Sequence, residues 1–238
     1  MDALLFNVTT AGLMVLMFKA GTTLNGPDPL RTHRVPLVAA GLTAIALLAV
    51  LTQLCWPGAM DTFDSDPSKS GWWRVVTSVF MQNGGFLGAA WNIATLAVIA
   101  ALAEWFWGSY LTAAFFAAGI LLPQHIDALF GLSDRSTVDP RNFAGSSGAT
   151  YFLGATLAAG LLLWRTPGLA TEPKARMLAL AVPALGLTMW LTQSNGHGLV
   201  AVYGFTLACA VALWRRTRPP STRREASAGG QRPLEERQ

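Results

Sequence analysis

The sequence predicts an all-α membrane protein: six transmembrane helices, preceded by one weaker apolar helix. Three observations predict it. Of the 238 residues, 52% are hydrophobic and only 13% charged, against about 25% charged in an ordinary soluble domain. A soluble fold of this length could not cover its surface with so few polar side chains. Apolar stretches fall at about 36–55, 88–107, 109–123, 143–164, 177–192 and 196–214, near the roughly 20 residues that cross a bilayer. The basic residues, finally, collect in alternate connections. The high hydrophobicity excludes a disordered chain, and two cysteines exclude a disulfide-built secreted scaffold.

Residues 1–35 form an N-terminal segment. Its apolar run, 3–18, is diluted by Asn7, Thr9 and Thr10 and reads as an extra span or a surface helix. No basic residue precedes that run, which argues against a signal peptide. Residues 36–214 form the transmembrane domain. Its second and third spans are separated by Gly108-Ser109 alone, and Pro183 is expected to kink the fifth. Residues 215–238 are rich in Pro, Ser, Gly and Arg and read as a disordered, solvated tail that touches anionic lipid. No aromatic residues interleave with its arginines, so nothing supports nucleic-acid binding.

Charge sets the orientation. Lys19, Arg31 and Arg34 precede the first core span, and Arg165, Lys174 and Arg176 lie between the fourth and fifth. Arg215, Arg216, Arg218, Arg223, Arg224, Arg232 and Arg237 follow the sixth. Six alternating crossings put all three groups on one side, expected to be the cytoplasm. The opposite side receives Lys69, Arg74, Arg135 and Arg141 among six aspartates.

Polar groups inside spans are costly and usually functional. Asn92, Ser147 and His197 stand near the starts of the second, fourth and sixth core spans. Those spans run in one direction, so the three residues share a depth within about 10 Å of the outer face at 1.5 Å per residue. A serine hydroxyl becomes a nucleophile when a base takes its proton, and His197 is placed to do so. The Asn92 amide and the Ser147 backbone N–H could then hold an oxyanion. No carboxylate lies at that depth, so a catalytic site here would be a dyad without an orienting acid. One face carries Ser147, Tyr151, Gly154 and Ala158, and another His197, Ala201, Gly204 and Ala208. Small residues at this spacing let membrane helices approach closely, and Tyr151 could stack on the imidazole. His33 and His125 read as solvated or structural. No His or Cys set suits a metal, and no cofactor is implied.

These residues resemble the rhomboid family of intramembrane serine proteases. Gly145-Ser146-Ser147-Gly148 is similar to the family's Gly-x-Ser-Gly motif, with Ser147 as nucleophile. Tyr151 falls where the family often has an aromatic residue, and His197 matches the general base in the last core span. Trp73-Arg74 resembles the Trp-Arg pair of the long first external loop. Glu104 with Gly108-Ser109 resembles the inner end of the second span. The resemblance covers about residues 36–214 and implies a six-helix rhomboid-like core. It also implies a serine endopeptidase that cuts single-span transmembrane proteins near the outer face, in the cell membrane with a cytoplasmic tail. One position departs from the family: Gly88 stands where its His-x-x-x-Asn pattern has an oxyanion-binding histidine. Gln82 or Asn83, or a water, would have to replace that donor. The departure leaves a second expectation open: a rhomboid-like protein with weak or no catalysis that binds transmembrane segments.

Overall fold

The computed structural model describes residues 3–66, 68–129, 144–163 and 172–217, and all their regular structure is helical. In chain order the helices are α1 (Ala3–Asn25), α2 (Pro29–Thr32), α3 (Leu37–Cys55), α4 (Ala59–Phe63), α5 (Arg74–Thr77), α6 (Gly85–Trp107), α7 (Ser109–Leu129), α8 (Ser147–Leu163), α9 (Pro173–Gln193) and α10 (Gly196–Thr217). Six of them, α1, α3, α6, α7, α9 and α10, carry stretches long and apolar enough to cross a membrane. The chain is a multi-pass integral membrane protein. Of the tail 215–238 expected to be disordered, residues 215–217 instead continue α10, and the rest, like the connection 130–143, lies outside the described residues.

The 17-residue α8 is the central post. It is about 25 Å long at 1.5 Å per residue, short for a bilayer. Every side chain from Ala149 to Leu161 is buried, because α1, α6, α7, α9 and α10 all pack around it. A helix apolar on every side belongs in such a position. The outer helices differ: on α3, Leu37, Ile45, Leu47, Leu48, Leu51 and Leu54 are exposed and so face lipid. The span expected over 143–164 begins its helix only at Ser147. The chain up to Ser146 forms a turn instead, with Gly145 at φ +129°.

The close approaches are made by glycines, though not all in the expected pairs. A Cβ at Gly204 of α10 would run into the carbonyl oxygen of Phe152 on α8. A Cβ at Gly119 of α7 would lie 2.9 Å from the Phe152 side chain. Gly154, expected to face α10, instead receives Met17 of α1, whose sulfur would stand 2.7 Å from an added Cβ. Gly198 and Gly186 bring α10 against α9.

That seat for Met17 bears on the N-terminal segment. The 3–18 stretch is the first part of a 23-residue helix that docks between α6, α8 and α9. A surface helix is therefore excluded. Leu13, Met14, Met17, Ala20 and Gly21 are buried, and the Asn25 amide donates to Leu102 O at 3.0 Å. Thr9 and Thr10, which weaken the apolar run, turn toward polar partners inside the bundle.

At the opposite end from Ser147, Glu104 is buried at 7% exposure. Its carboxylate accepts from Ala39 N–H at 2.9 Å and from Ser109 Oγ at 2.6 Å. It thus ties the starts of α3 and α7 to the end of α6, a capping role compatible with the helix dipole. Pro183 lies inside α9, which runs through it as one helix. His125, expected in a loop, belongs to α7 and is exposed.

Gly204→Val should lower stability by about 1–3 kcal/mol, the cost of overpacking a filled interior. Gly41→Ala, where an added Cβ meets nothing within 4 Å, should be neutral or slightly stabilising. Thermal unfolding of the purified protein in detergent checks both.

Candidate active site

α6, α8 and α10 begin at the same end of the bundle, and there the chain gathers its buried polar groups. Ser147 opens α8 and His197 lies in the first turn of α10. The tight α8–α10 crossing brings Ser147 Oγ to 3.0 Å from His197 Nε2. The neighbouring Ser146 is fully buried and its hydroxyl has no hydrogen-bond partner. Of the motif's two serines, then, Ser147 is the one coupled to the imidazole. Being at a helix start, its backbone N–H has no acceptor within the helix and sits at the positive end of the helix dipole.

Tyr151 lies one turn further along α8, 2% exposed. Its ring centroid is 4.8 Å from that of His197, with the planes tilted by 60°. The expected stacking is a tilted ring contact, and the Tyr151 hydroxyl donates to Thr10 O at 2.8 Å. Phe6 of α1 also meets the imidazole edge-on, centroids 6.4 Å apart. His197 Nδ1 faces Asn195 Oδ1 at 3.2 Å.

Asn92 reaches the same place from α6. Its Nδ2 and Ser147 Oγ each lie 3.8 Å from the point where a Gly145 Cβ would stand. Any side chain at Gly145 would occupy the space between them. The Asn92 amide donates one hydrogen to Gln82 Oε1 at 2.9 Å, which fixes its rotamer and leaves a second N–H. Gln82 is itself buried and held: its backbone N–H donates to Gln53 Oε1, its carbonyl accepts from Gln53 Nε2, and its side-chain Nε2 donates to Phe80 O at 3.2 Å. Gln82 therefore orients Asn92 through its Oε1, and one hydrogen of its own Nε2 is committed to Phe80 O. Asn83 is exposed, and its side chain accepts from Gly84 N–H. A Cβ at Gly88 would stand 2.9 Å from Asn83 O, so a larger residue there must displace loop backbone.

Trp73 and Arg74 do not join this cluster. Arg74 donates to the carbonyls of Ser70, Asp61 and Asp64 and pairs with the Asp64 carboxylate at 3.4 Å. Its guanidinium lies 4.8 Å from the Trp73 ring centroid, and Trp73 meets Phe63 edge-on. Lys69 binds Asp61 and Asp64 at 2.6 and 2.9 Å; hydrogen bonds to Asp61 first, then Asp64, hold its pKa above the usual lysine value. These contacts fold the loop before α6 upon itself. The loop then reaches the site through backbone: Ser78 O accepts from Gly145 N–H at 3.0 Å. Gly145 is needed for its left-handed backbone and for the space beside Asn92. Gly148 contacts nothing that an added Cβ would meet, so its part is to leave open space next to Ser147.

Asn195 and Thr10 were not foreseen as parts of the site, and Gln82, expected only as a substitute donor, proves to hold Asn92. The signals existed: Asn195 is two residues before His197, and the polar pair Thr9-Thr10 interrupts an apolar run. Among the described residues no group of His, Cys, Asp and Glu could hold a metal ion. Comparison with protein-family models, with curated proteins and with solved structures gives no match. The chemistry of these side chains is therefore what carries the functional reading.

Gly145→Ala should destabilise the fold by about 1–3 kcal/mol, the usual strain of a side chain at such a φ. Gly148→Ala should leave the unfolding midpoint unchanged or slightly raised. Equal effects of the two substitutions would contradict the assignment of Gly145 as the conformationally required glycine.

Proposed function

We propose that the protein is an intramembrane serine endopeptidase of the rhomboid type, which cleaves single-span transmembrane proteins near the outer membrane face. The observation that carries this reading is the 3.0 Å contact of Ser147 Oγ with His197 Nε2, at the end of a bundle of membrane-length helices. The clustering of Lys and Arg in alternate connections supports a cytoplasmic C-terminal tail, with the Ser147 end at the outer face of the cell membrane. No cofactor takes part.

The mechanism follows from the geometry. A transmembrane helix hides its carbonyls in backbone hydrogen bonds, so the substrate segment unwinds locally before reaction. Ser147 Oγ attacks the exposed carbonyl carbon while its proton passes to His197 Nε2. The oxyanion is held by the free N–H of the Asn92 amide and by the Ser147 backbone N–H. The C–N bond breaks as His197 returns the proton to the leaving nitrogen. Water, giving a proton to His197, attacks the acyl ester; the C–Oγ bond breaks as His197 returns that proton to Ser147 Oγ, which releases the acid product. Tyr151 and Phe6 contact the imidazole and limit its motion, and Gly145 and Gly148 leave room for substrate backbone.

Gly88 favours a second reading, in which the protein binds transmembrane segments without cutting them. Losing one oxyanion donor costs about 10²–10³ in rate, which slows the reaction without removing nucleophile or base.

A serine-directed fluorophosphonate separates the readings. Wild type should label, and Ser147→Ala and His197→Ala should not. With a model single-span substrate, Asn92→Ala should lower kcat by about 10²–10³ with little change in KM. Folded wild-type protein that neither labels nor cleaves, yet retains a transmembrane segment, would falsify the protease reading and leave the binding one.

A further inference from the structure

Resting on the Ser147–His197 reading, we infer that Asn195 is a positioning residue for His197 and that Thr10 of α1 seats it. The N-terminal helix is then a component of the site and not an added anchor.

Asn195 lies in the turn between α9 and α10 and is 1% exposed. The turn is fixed by backbone: Ser194 takes a left-handed conformation with φ 51°, Asn195 N–H donates to Met189 O at 3.3 Å, and Gly198 N–H donates to Asn195 O at 3.0 Å. A buried amide must find partners for its polar atoms, and here they define its orientation. The backbone N–H of His197 lies 3.0 Å from one terminal atom of the Asn195 side chain. A backbone N–H only donates, so that atom is the carbonyl oxygen. The same oxygen faces His197 Nδ1 at 3.2 Å. Nδ1 therefore carries the proton in the neutral ring, and Nε2 keeps its lone pair toward Ser147. This is the tautomer that can accept the hydroxyl proton, and the wrong tautomer is known to be very costly in Ser-His chemistry. An amide does this without bringing a charge into the bundle.

The other end of the amide is equally committed. Asn195 Nδ2 donates to Thr10 Oγ1 at 2.9 Å. One turn of polar contacts surrounds that bond: Thr9 Oγ1 donates to Gln193 Oε1 at 3.0 Å, and Tyr151 donates to Thr10 O at 2.8 Å. α1 thus holds two residues that touch the imidazole, Asn195 and Tyr151. The order is Thr10, Asn195, His197, Ser147: four residues, one hydrogen-bonded line.

Asn195 also occupies the N-cap position of α10, a role that Asp or Ser would fill about equally well. The test must separate capping from orientation. Asn195→Ser keeps a capping oxygen on a shorter side chain, whereas Asn195→Asp keeps an oxygen at full reach. Full-length protein is made in detergent with ¹⁵N-labelled histidine, the His33 and His125 signals being assigned by substitution. Two readouts follow: the His197 ring nitrogen shifts and the rate of fluorophosphonate labelling. We expect Nδ1 protonated in wild type and in Asn195→Asp, and a mixture of tautomers in Asn195→Ser and Thr10→Val. Labelling, measured well below each variant's unfolding midpoint, should fall about tenfold or more in the last two and persist in Asn195→Asp. A wild-type spectrum and rate in both Asn195→Ser and Thr10→Val would overturn the proposal and leave Asn195 as a cap. If wild type does not label but its tautomer shifts in these variants, the positioning role stands and the protease reading falls.

Discussion

The contact of α10 with α8 at Gly204 and Phe152 governs the rest of the structure. Backbone meets backbone there with no side chain between. Membrane helices gain little from excluding lipid from one another, so close packing and interhelical hydrogen bonds hold them. This crossing sets the distance between the two helix starts, and from it follows the 3.0 Å separation of Ser147 and His197. The Cβ of any other residue at position 204 would push apart the two groups on which the proposed chemistry depends.

A second constraint acts on the polar atoms. In a bundle surrounded by lipid, an unsatisfied N–H or C=O costs several kcal/mol. The polar end of the bundle answers by linking elements far apart in sequence: Thr10 with Asn195, Gln53 with Gln82, Gln82 with Asn92, Ser78 with Gly145. Each bond satisfies a buried group and also locks a site residue's position. At the opposite end, Glu104 performs the same service for α3 and α7. Hydrogen-bond satisfaction and preorganisation are here one set of contacts.

The loop before α6 shows how a region remote from the dyad still belongs to it. Arg74, Trp73, Lys69 and the two aspartates make no contact with Ser147 or His197. They fold the loop so that Ser78 presents its carbonyl to Gly145 and Gln82 presents its amide to Asn92. Among these charged side chains, Asp64, Lys69 and Arg74 are partly buried and only Asp61 is exposed. Their effect is to define a shape.

Composition, span length and the uneven distribution of Lys and Arg determined the helical membrane fold, because lipid imposes a length and a polarity on each crossing independently of its neighbours. Topology alone also put Asn92, Ser147 and His197 at one depth, since parallel helices of known start share a level. What it could not determine was rotation. Helical spacing put Gly154 and Gly204 on facing stripes, yet Gly154 receives Met17 and Gly204 meets Phe152, because α8 is surrounded and every one of its faces has a partner. Thr9 and Thr10 read as weakness in an apolar run, since a threonine's partner is invisible until the helices are packed. The tertiary structure alone decided that α1 lies within the bundle and that Asn195, not a carboxylate, faces Nδ1. Both depend on contacts spanning up to 185 positions of sequence, a range over which local pattern carries no information.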